Sequence, residues 1–311
     1  MLFLVRRLAK RSLRLLHALG VALGWAGYAL SPSYRRRLVE NASLAGLTPA
    51  ERRAAVADAG KLVMELPRLW LRPREQPIAD PVRWDGDALL AELLDRGKGL
   101  VLLTPHMGSF EVSAQAYAER FGARQPITVL YRPARKAWLR ELEETARART
   151  ALATAPADFS GVRLMMRALK RGETVGLLPD QVPPKGMGVW VPFFGRPAYT
   201  MTLAARLIQQ TGAAVAVLWT ERLPRGGGYV VHAQALPVPL PQGEAADETT
   251  SALAINRSME AVIRQKPTQY LWGYHRYKAE TIDDLCRVYM PLPRTGRLEP
   301  CPENRRSIRP G

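Results

Sequence analysis

Cysteine is scarce in this sequence, which limits the kinds of chemistry that the chain performs. Only Cys286 and Cys301 occur in 311 residues, too few for a disulfide framework, and their scarcity favours a reducing compartment. No group of Cys, His and acidic residues has the spacing of a metal site. No phosphate-binding Gly-Lys-Ser/Thr loop occurs, and Gly186-Met187-Gly188 is too short for a dinucleotide fingerprint. We therefore expect neither a metal nor a nucleotide cofactor.

Acidic residues are also few, at 28 against 45 Lys and Arg, which gives a formal net charge of +17. Such an excess favours a polyanionic neighbour, which could be nucleic acid, anionic lipid or an acidic protein. The first acid is Glu40, so all charged side chains before it are basic. These eight residues are Arg6, Arg7, Lys10, Arg11, Arg14, Arg35, Arg36 and Arg37.

The sequence has one long uncharged stretch near its N-terminus, residues 15–30, which is apolar except for His17. A helix of this length would extend about 24 Å, less than the hydrocarbon core of about 30 Å. A signal peptide is a rival interpretation, but no small-x-small cleavage site follows. Positive charge on both sides suits a helix that lies in an anionic surface at least as well as one that crosses. The sequence predicts membrane attachment and leaves both geometries open.

The chain divides by composition into four regions. Residues 1–34 are predicted to form a basic and apolar membrane anchor helix. Residues 35–80 are predicted to form a helical segment and a linker, and residues 81–290 an α/β domain. Residues 291–311 read as a polar tail, which we expect to be disordered.

Helical patterns and apolar runs alternate along most of the chain. Short apolar runs bounded by Gly or Pro predict buried strands, and apolar residues at helical spacing predict helices. Pro67 is expected to end or kink the first of these helices. The alternation favours an α/β fold with one mixed central sheet flanked by helices. The predicted strands are 99–103, 127–131, 173–181, 213–220 and 229–235, and the predicted helices are 51–66, 87–97, 110–121, 138–149, 161–171, 201–210 and 250–265.

The clearest candidate for catalytic chemistry surrounds His106. An apolar run ends at Thr104-Pro105, and a helical pattern begins after Ser109, a favourable N-cap. With His106 in the turn and Glu111 in the first helical turn, the carboxylate reaches back towards the imidazole, whereas on one continuous helix they would diverge. A carboxylate that holds a neutral imidazole prepares a general base. From these residues alone, catalysis and a plain capping role are equally supported.

The other three histidines differ in their surroundings. His17 lies in the apolar stretch and His232 in a strand-like alternation, which favours structural roles for both. His275 lies in an aromatic and basic cluster, residues 269–278, that suits an anionic head group. A solvated basic segment whose aromatic side chains join the core explains this composition equally well.

Residues 104–111, Thr-Pro-His-Met-Gly-Ser-Phe-Glu, resemble the histidine and acid motif of the bacterial lipid A late acyltransferases. These are the lauroyl and myristoyl transferases, within the lysophospholipid acyltransferase-like superfamily. Further blocks resemble the family in its order, so that the similarity covers most of residues 2–278. Family members commonly carry Gly-Asn-Trp where this chain has Gly108-Ser109-Phe110. The further blocks are Leu130-Tyr131-Arg132-Pro133, Leu178-Pro179-Asp180-Gln181, Val191-Pro192-Phe193-Phe194-Gly195-Arg196, Thr200, Gln269-Tyr270-Leu271-Trp272 and His275-Arg276.

The resemblance implies a glycerolipid acyltransferase-like fold and the transfer of a fatty acyl chain from acyl carrier protein to a hydroxyl of a lipid A precursor. In that scheme His106 is the general base, Glu111 supports the imidazolium, and no covalent acyl-enzyme forms. No cofactor is implied beyond the phosphopantetheine that carries the donor. The implied partners are acyl carrier protein, an anionic glycolipid and the bacterial inner membrane. The catalytic domain is expected to face the cytoplasm, and no nucleic acid partner is implied. Both polyanionic partners agree with the net charge of +17.

The resemblance also suggests residues for substrate or oxyanion binding. Arg132 is the first candidate for an oxyanion or phosphate contact, and Asp180 is expected to position Arg132 or the acceptor, with turn capping as its alternative. Gln181 belongs to the same block as Asp180. The remaining candidates are Phe193 and Phe194, for an acyl groove or plain core, and Arg276, for acceptor phosphates or the carrier protein.

Two alternatives stay open at this stage. Within the enzymes, a lysophospholipid acyltransferase, or one acting on another glycolipid or an ornithine lipid, could use the same dyad. In a different class, a non-catalytic basic membrane-binding protein would show the same excess of positive charge. The second alternative leaves a histidine at a strand end and an acid at a helix start unexplained.

Overall fold

The computed structural model describes residues 2–131 and 149–278 and shows a helical N-terminal part followed by an α/β domain. Its first helices begin at residues that suit helix N-termini. Ser12 and Ser31 accept hydrogen bonds at the start of the second and third helices, and Thr48 and Glu51 form a capping box at the fourth. These helices are α1 (Leu2–Ala9), α2 (Leu13–Leu30), α3 (Pro32–Leu44) and α4 (Pro49–Trp70).

Helix α4 continues past Pro67, so the predicted end of the helix at this proline is wrong. Tertiary contacts hold the turn that follows. Leu69 is buried, and the guanidinium of Arg68 binds the Asp80 carboxylate at 2.6 Å and the Arg11 carbonyl at 2.9 Å. These contacts offset the backbone hydrogen bond that proline removes.

The α/β domain confirms the alternation of strands and helices that the sequence predicts, with additional strands. The predicted helix 138–149 lies, except for Arg149, outside the described residues, as does the predicted tail 291–311. The strands are β1 (Val82–Asp85), β2 (Leu100–Leu103), β3 (Ile127–Tyr131), β4 (Leu152–Pro156), β5 (Thr174–Leu177), β6 (Gly188–Phe193), β7 (Arg196–Met201), β8 (Ala214–Arg222) and β9 (Tyr229–Gln234). The helices are α5 (Asp87–Asp95), α6 (Phe110–Phe121), α7 (Phe159–Lys170), α8 (Leu203–Thr211) and α9 (Glu248–Ile263).

Seven strands form the central sheet in the order β1-β9-β8-β2-β5-β3-β4. The β8–β9 pair is antiparallel and the other pairs are parallel, which confirms the predicted mixed sheet. Strand β2 lies in the middle and all four of its residues are buried. Val101 and Leu103 pack into a cluster with α7 and α9, whereas Leu100 and Leu102 pack with α5 and α6. Helices thus cover both faces, and the carboxyl ends of β2 and β5 lie side by side.

Strands β6 and β7 form a separate antiparallel hairpin. Phe194 and Gly195 connect them, both with positive φ, at 46° and 77°. Helix α9 packs on the hairpin, where the side-chain amide of Asn256 donates to the Pro192 carbonyl and the Thr200 hydroxyl. The sequence analysis did not predict this hairpin, because each of its strands contains a proline, Pro192 in β6 and Pro197 in β7, which weakens the strand pattern.

Helix α2 packs closely against α4 in an antiparallel arrangement. Contacts run from His17, which meets Glu65 at 3.3 Å, to Gly24, where an added Cβ would lie 2.2 Å from the Val56 carbonyl oxygen. Between them an added Cβ on Gly60 would lie 1.9 Å from the Gly20 carbonyl oxygen. Glycine at these positions therefore permits the backbone contact. Among the described helices, α2 alone is long and apolar enough to cross a membrane.

Candidate active site

His106 lies in a turn, residues 104–109, that connects β2 to α6. Its carbonyl accepts a hydrogen bond from the backbone N–H of Leu271 at 3.1 Å, and the Gly108 N–H donates to the Gln269 carbonyl at 2.9 Å. Ser109 has the predicted N-cap position, but its side chain makes no capping bond and its N–H donates to the Thr220 carbonyl at 3.0 Å. The turn is thus fixed by backbone bonds to two distant segments.

Gly108 has a position that other residues fit poorly. Its φ is +58°, and an added Cβ would lie 1.8 Å from the Thr220 carbonyl oxygen. The Gly108 carbonyl accepts a hydrogen bond from Arg222 Nη2 at 2.9 Å. Both constraints fix the path of the chain directly after His106.

Asp180 binds His106 through both of its carboxylate oxygens. Oδ1 lies 2.7 Å from the ring Nδ1, and Oδ2 accepts the backbone N–H of His106 at 2.8 Å. Asp180 follows β5 and His106 follows the neighbouring parallel strand β2, so the two strand ends bring them together. Burial, which leaves Asp180 only 1% exposed, tends to raise the pKa of this carboxyl. The charge and hydrogen bonds of His106 outweigh it and hold that pKa below its ordinary value.

The contact with Asp180 determines which nitrogen of the imidazole carries a proton. An ionised carboxylate accepts hydrogen bonds and donates none, so Nδ1 of His106 carries a proton. In the neutral imidazole the lone pair is then on Nε2. His106 therefore has the tautomer that a general base requires.

The sequence analysis expected Asp180 to position Arg132 or the acceptor, with turn capping as the alternative, and did not predict its bond to the His106 ring. The structure shows that Asp180 holds His106. The predicted His106–Glu111 pair stays a prediction. Glu111 is buried at the start of α6, and its Oε2 accepts a hydrogen bond from Trp70 Nε1 at 3.3 Å.

A cavity of about 480 Å³ lies beside His106, and its wall is mostly apolar. His106, Glu111 and Gln181 contribute polar groups to the wall, so three predicted site residues share one cavity. Such a space suits an aliphatic chain whose polar end reaches the imidazole. The apolar lining includes Leu62, Val63, Leu66 and Trp70 of α4, Val129 and Leu130 of β3, and Leu152, Val162, Leu178, Met187, Met201 and Leu271.

Other predicted site residues lie elsewhere. Phe193, the last residue of β6, and Phe194, in the turn that follows it, are buried in the core. Arg276 is also buried, and its guanidinium donates to the Tyr199 carbonyl and the Thr200 hydroxyl and stacks on Phe193 at 5.0 Å. None of the three is among the described residues that line the cavity. Arg132 lies outside the described residues.

His275 is exposed in a group of basic side chains. Partial burial lowers the pKa of its imidazole, and the charges of Arg37, Lys278 and Arg36 lower it further. Helix α3 is fixed to this segment, because Arg37 Nε donates to the Gly273 carbonyl at 3.1 Å. Of the basic residues in the predicted cluster 269–278, His275 and Lys278 are therefore at the surface, whereas Arg276 is buried.

A buried ion pair supports the His106 turn, and the sequence analysis missed it. Arg222 Nε and Nη2 donate to the two oxygens of Glu65, at 3.0 and 2.8 Å. The Tyr229 hydroxyl and His17 Nε2 also lie 3.3 Å from Glu65 Oε2. Because Arg222 also binds the Gly108 carbonyl, this network joins α2, α4 and the sheet to the turn. The partners are 157 residues apart, so no local pattern could reveal them.

A family described as bacterial lipid A biosynthesis acyltransferase matches residues 6–279. The lipid A biosynthesis lauroyltransferase of Escherichia coli (strain K12) is 27% identical over 238 residues, which cover 75% of this chain and 74% of that relative. The myristoyltransferase of the same organism is 25% identical over 256 residues, covering 80% and 77%. Its palmitoleoyltransferase is 25% identical over 190 residues, covering 61% of this chain and 59% of the relative.

Proposed function

Because the chain belongs to the bacterial lipid A biosynthesis acyltransferase family, we propose that it transfers a fatty acyl chain from acyl carrier protein to a hydroxyl of a lipid A precursor. The observation that carries this proposal is the His106–Asp180 contact at the wall of an apolar cavity. The cavity accommodates the chain, and the imidazole activates the hydroxyl. This combination is what direct acyl transfer between a thioester and an alcohol requires.

The reaction proceeds without a covalent enzyme intermediate in this proposal. Nε2 of His106 takes the proton of the acceptor hydroxyl as its oxygen attacks the thioester carbonyl. A carbon–oxygen bond forms, and the carbon–sulfur bond then breaks. The departing phosphopantetheine sulfur receives the proton from the imidazolium, which leaves an ester, a thiol and neutral His106.

Two carboxylates support the base. Asp180 holds the Nδ1 proton and stabilises the positive charge that develops on the ring. Glu111 adds a second acidic group on the cavity wall, and we propose that it stabilises the same imidazolium. Arg132 directly follows Tyr131, a cavity-lining residue, and remains our candidate for the oxyanion of the attacked thioester.

The location and partners follow from charge and apolarity. The net charge of +17 suits both an acidic carrier protein and a phosphorylated glycolipid. The apolar helix α2 suits attachment to a membrane. We propose that the chain works at the cytoplasmic face of the inner membrane, where carrier-bound acyl chains and the lipid acceptor meet.

An in vitro transfer assay tests this function. Purified full-length protein is given acyl carrier proteins loaded with lauroyl, myristoyl or palmitoleoyl chains, together with the tetra-acylated lipid A precursor. We expect transfer by the wild type and a loss of about 10²-fold or more in His106→Ala and in Glu111→Ala.

His232→Ala is the matched control, because His232 also binds carboxylates, with Nδ1 2.9 Å from Asp85 and Nε2 3.2 Å from Glu221, away from the cavity. It should transfer at the wild-type rate. Wild-type transfer by folded His106→Ala would refute the mechanism. Transfer to a lysophospholipid or an ornithine lipid, with none to the lipid A precursor, would refute the acceptor.

A further inference from the structure

The apolar helix α2 has two faces with different surroundings. One face packs on the protein through Leu13, Leu16, His17, Gly20 and Gly24. A second face exposes large apolar side chains in one stripe, mostly four residues apart: Leu15, Leu19, Leu23 and Leu30. Leu30 is the most exposed of these side chains, at 83%.

The packed face ties α2 to parts of the protein that are highly charged. Its partner α4 contains seven charged residues, and the two helices are in contact from His17 at Glu65 to Gly24 at Val56. The start of α2 also contacts the β8–β9 connection, where an added Cβ on Gly226 would lie 2.4 Å from the Arg14 nitrogen. A spanning α2 would carry α4 into the hydrocarbon, where each charged side chain near the centre is costly to bury.

Groups that suit a membrane surface lie near the C-terminal end of α2, on a different side of the helix from the stripe. Trp25 and Tyr28 form an edge-to-face pair with ring centroids 5.6 Å apart, and the Arg35 guanidinium lies 6.0 Å from the Tyr28 ring. Aromatic side chains favour the interface between head groups and acyl chains, and arginine favours anionic head groups. Arg11, Arg14 and Arg36 are also exposed near the two ends of α2.

We propose that α2 lies flat in one leaflet of an anionic bilayer and does not cross it. The leucine stripe enters the acyl layer, the arginines at both ends bind lipid phosphates, and the packed face stays against α4. This extends the proposed membrane location, on which it rests, to a defined geometry. It chooses between the spanning and surface-bound arrangements that composition leaves open.

The flat arrangement is tested by determining on which side of the membrane each end of α2 lies. Single cysteines are introduced as Lys10→Cys and Ser33→Cys, at exposed positions on either side of α2, in a full-length Cys286→Ser/Cys301→Ser background. A membrane-impermeant maleimide is added to intact spheroplasts and to inverted inner-membrane vesicles. We expect both cysteines to react in inverted vesicles and neither in spheroplasts.

The possible outcomes separate the geometry from the location. Labelling of the two positions from opposite sides would overturn the flat arrangement. Labelling of both positions from the outer side would support the flat arrangement and would refute the cytoplasmic location. The labelling result does not depend on acyltransferase activity, so this experiment and the transfer assay test the geometry and the proposed function independently.

Vesicle binding tests the leucine stripe itself. Leu19 and Leu23 are 41% and 43% exposed, and Leu164 on α7, at 44%, is a matched control outside the stripe. We expect Leu19→Glu/Leu23→Glu to weaken binding to phosphatidylethanolamine–phosphatidylglycerol vesicles by about tenfold or more. Leu164→Glu should bind like the wild type, and phosphatidylcholine vesicles should bind all three proteins more weakly.

Thermal unfolding in detergent confirms that each variant is folded. Wild-type affinity of the folded double variant for anionic vesicles would overturn the proposal. The proposal would also be overturned if the wild type were a dimer and the double variant a monomer with unchanged vesicle binding. The stripe would then join two copies of the chain.

Discussion

His106 meets Asp180 through two separate hydrogen bonds, one to its ring and one to its backbone. The backbone bond fixes where the residue lies, and the ring bond fixes the tautomer and the direction of Nε2. A carboxylate that makes both contacts restrains the base in position as well as in protonation. The orientation of the imidazole is therefore set before any substrate arrives.

Asp180→Asn should lower kcat by about 10²–10⁴-fold with little change in the KM for the acyl donor. The amide cannot stabilise the imidazolium by charge, and the buried side chain does not line the cavity. Steady-state transfer assays measure both constants. Asp85→Asn is the matched control, since Asp85 binds Nδ1 of His232 at 2.9 Å. Equal kcat values in the two variants would contradict the role of Asp180.

At the scale of elements, the turn between β2 and α6 depends on Gly108. Gly108→Ala should lower the free energy of unfolding and reduce transfer, because the added Cβ clashes with the Thr220 carbonyl oxygen. Alanine is also strained at the positive φ of this position. Gly46→Ala is the matched control, with φ at +84° and open space around an added Cβ. The positive φ alone costs about 1–2 kcal/mol.

Denaturant unfolding of both glycine variants measures this difference. We expect Gly108→Ala to lose clearly more stability than Gly46→Ala, and to be the only one that loses activity. If the two variants lost the same free energy and both kept wild-type transfer, the close contact with Thr220 would have no consequence.

Elements with a strong local signal could be predicted from the sequence. Strand β2 follows from a short apolar run between Gly and Pro, and α8 ends at Gly212, whose φ of +68° suits glycine. Strands β1 and β4 have weak local patterns and exist because they pair with β9 and β3. The course of α4 past Pro67 likewise depends on distant partners. Local patterns therefore give the alternation, and tertiary contacts give the rest.

The same limit applies to the site. His106 could be predicted as a candidate because Thr104-Pro105 places it at a strand end. Glu111 could be predicted as a candidate because it lies in the first turn of the next helix. The bond to Asp180 could not, because it depends on β2 and β5 being neighbours in the sheet. Some candidates that the resemblance suggested, Phe193, Phe194 and Arg276, are core residues. A sequence motif alone does not distinguish a buried arginine from one that binds phosphate.

At the scale of the whole molecule, Glu65 joins four segments at one buried point. Glu65→Gln should lower the free energy of unfolding by about 3–5 kcal/mol at neutral pH, because the buried Arg222 would lose its closer counter-charge and keep only the longer contact with Asp58, at 4.0 Å. Urea unfolding measures the change. Glu92→Gln is the control, since the Glu92–Arg96 pair is exposed and should contribute less than about 1 kcal/mol.

This difference should depend on pH. Burial tends to raise the pKa of Glu65, but the charge of Arg222 and the hydrogen bonds from His17 and Arg222 hold it below its ordinary value. The stabilisation is therefore complete above the unfolded pKa of about 4.3 and is lost as the pH falls through the lower folded pKa. We expect the wild type and Glu65→Gln to converge below about pH 4. A constant difference down to complete acid unfolding would contradict this assignment.

The separation of His106 and Asp180 along the chain, 74 residues, also has a consequence in time. Helices α2 and α4 follow each other closely, whereas β2 and β5 pair only after the intervening chain has closed a long loop. During refolding from urea, circular dichroism should recover in an earlier phase than acyl transfer. Stopped-flow ellipticity and interrupted-refolding assays follow the two signals. Recovery of both in a single phase would mean that the strand ends meet as early as the helices form.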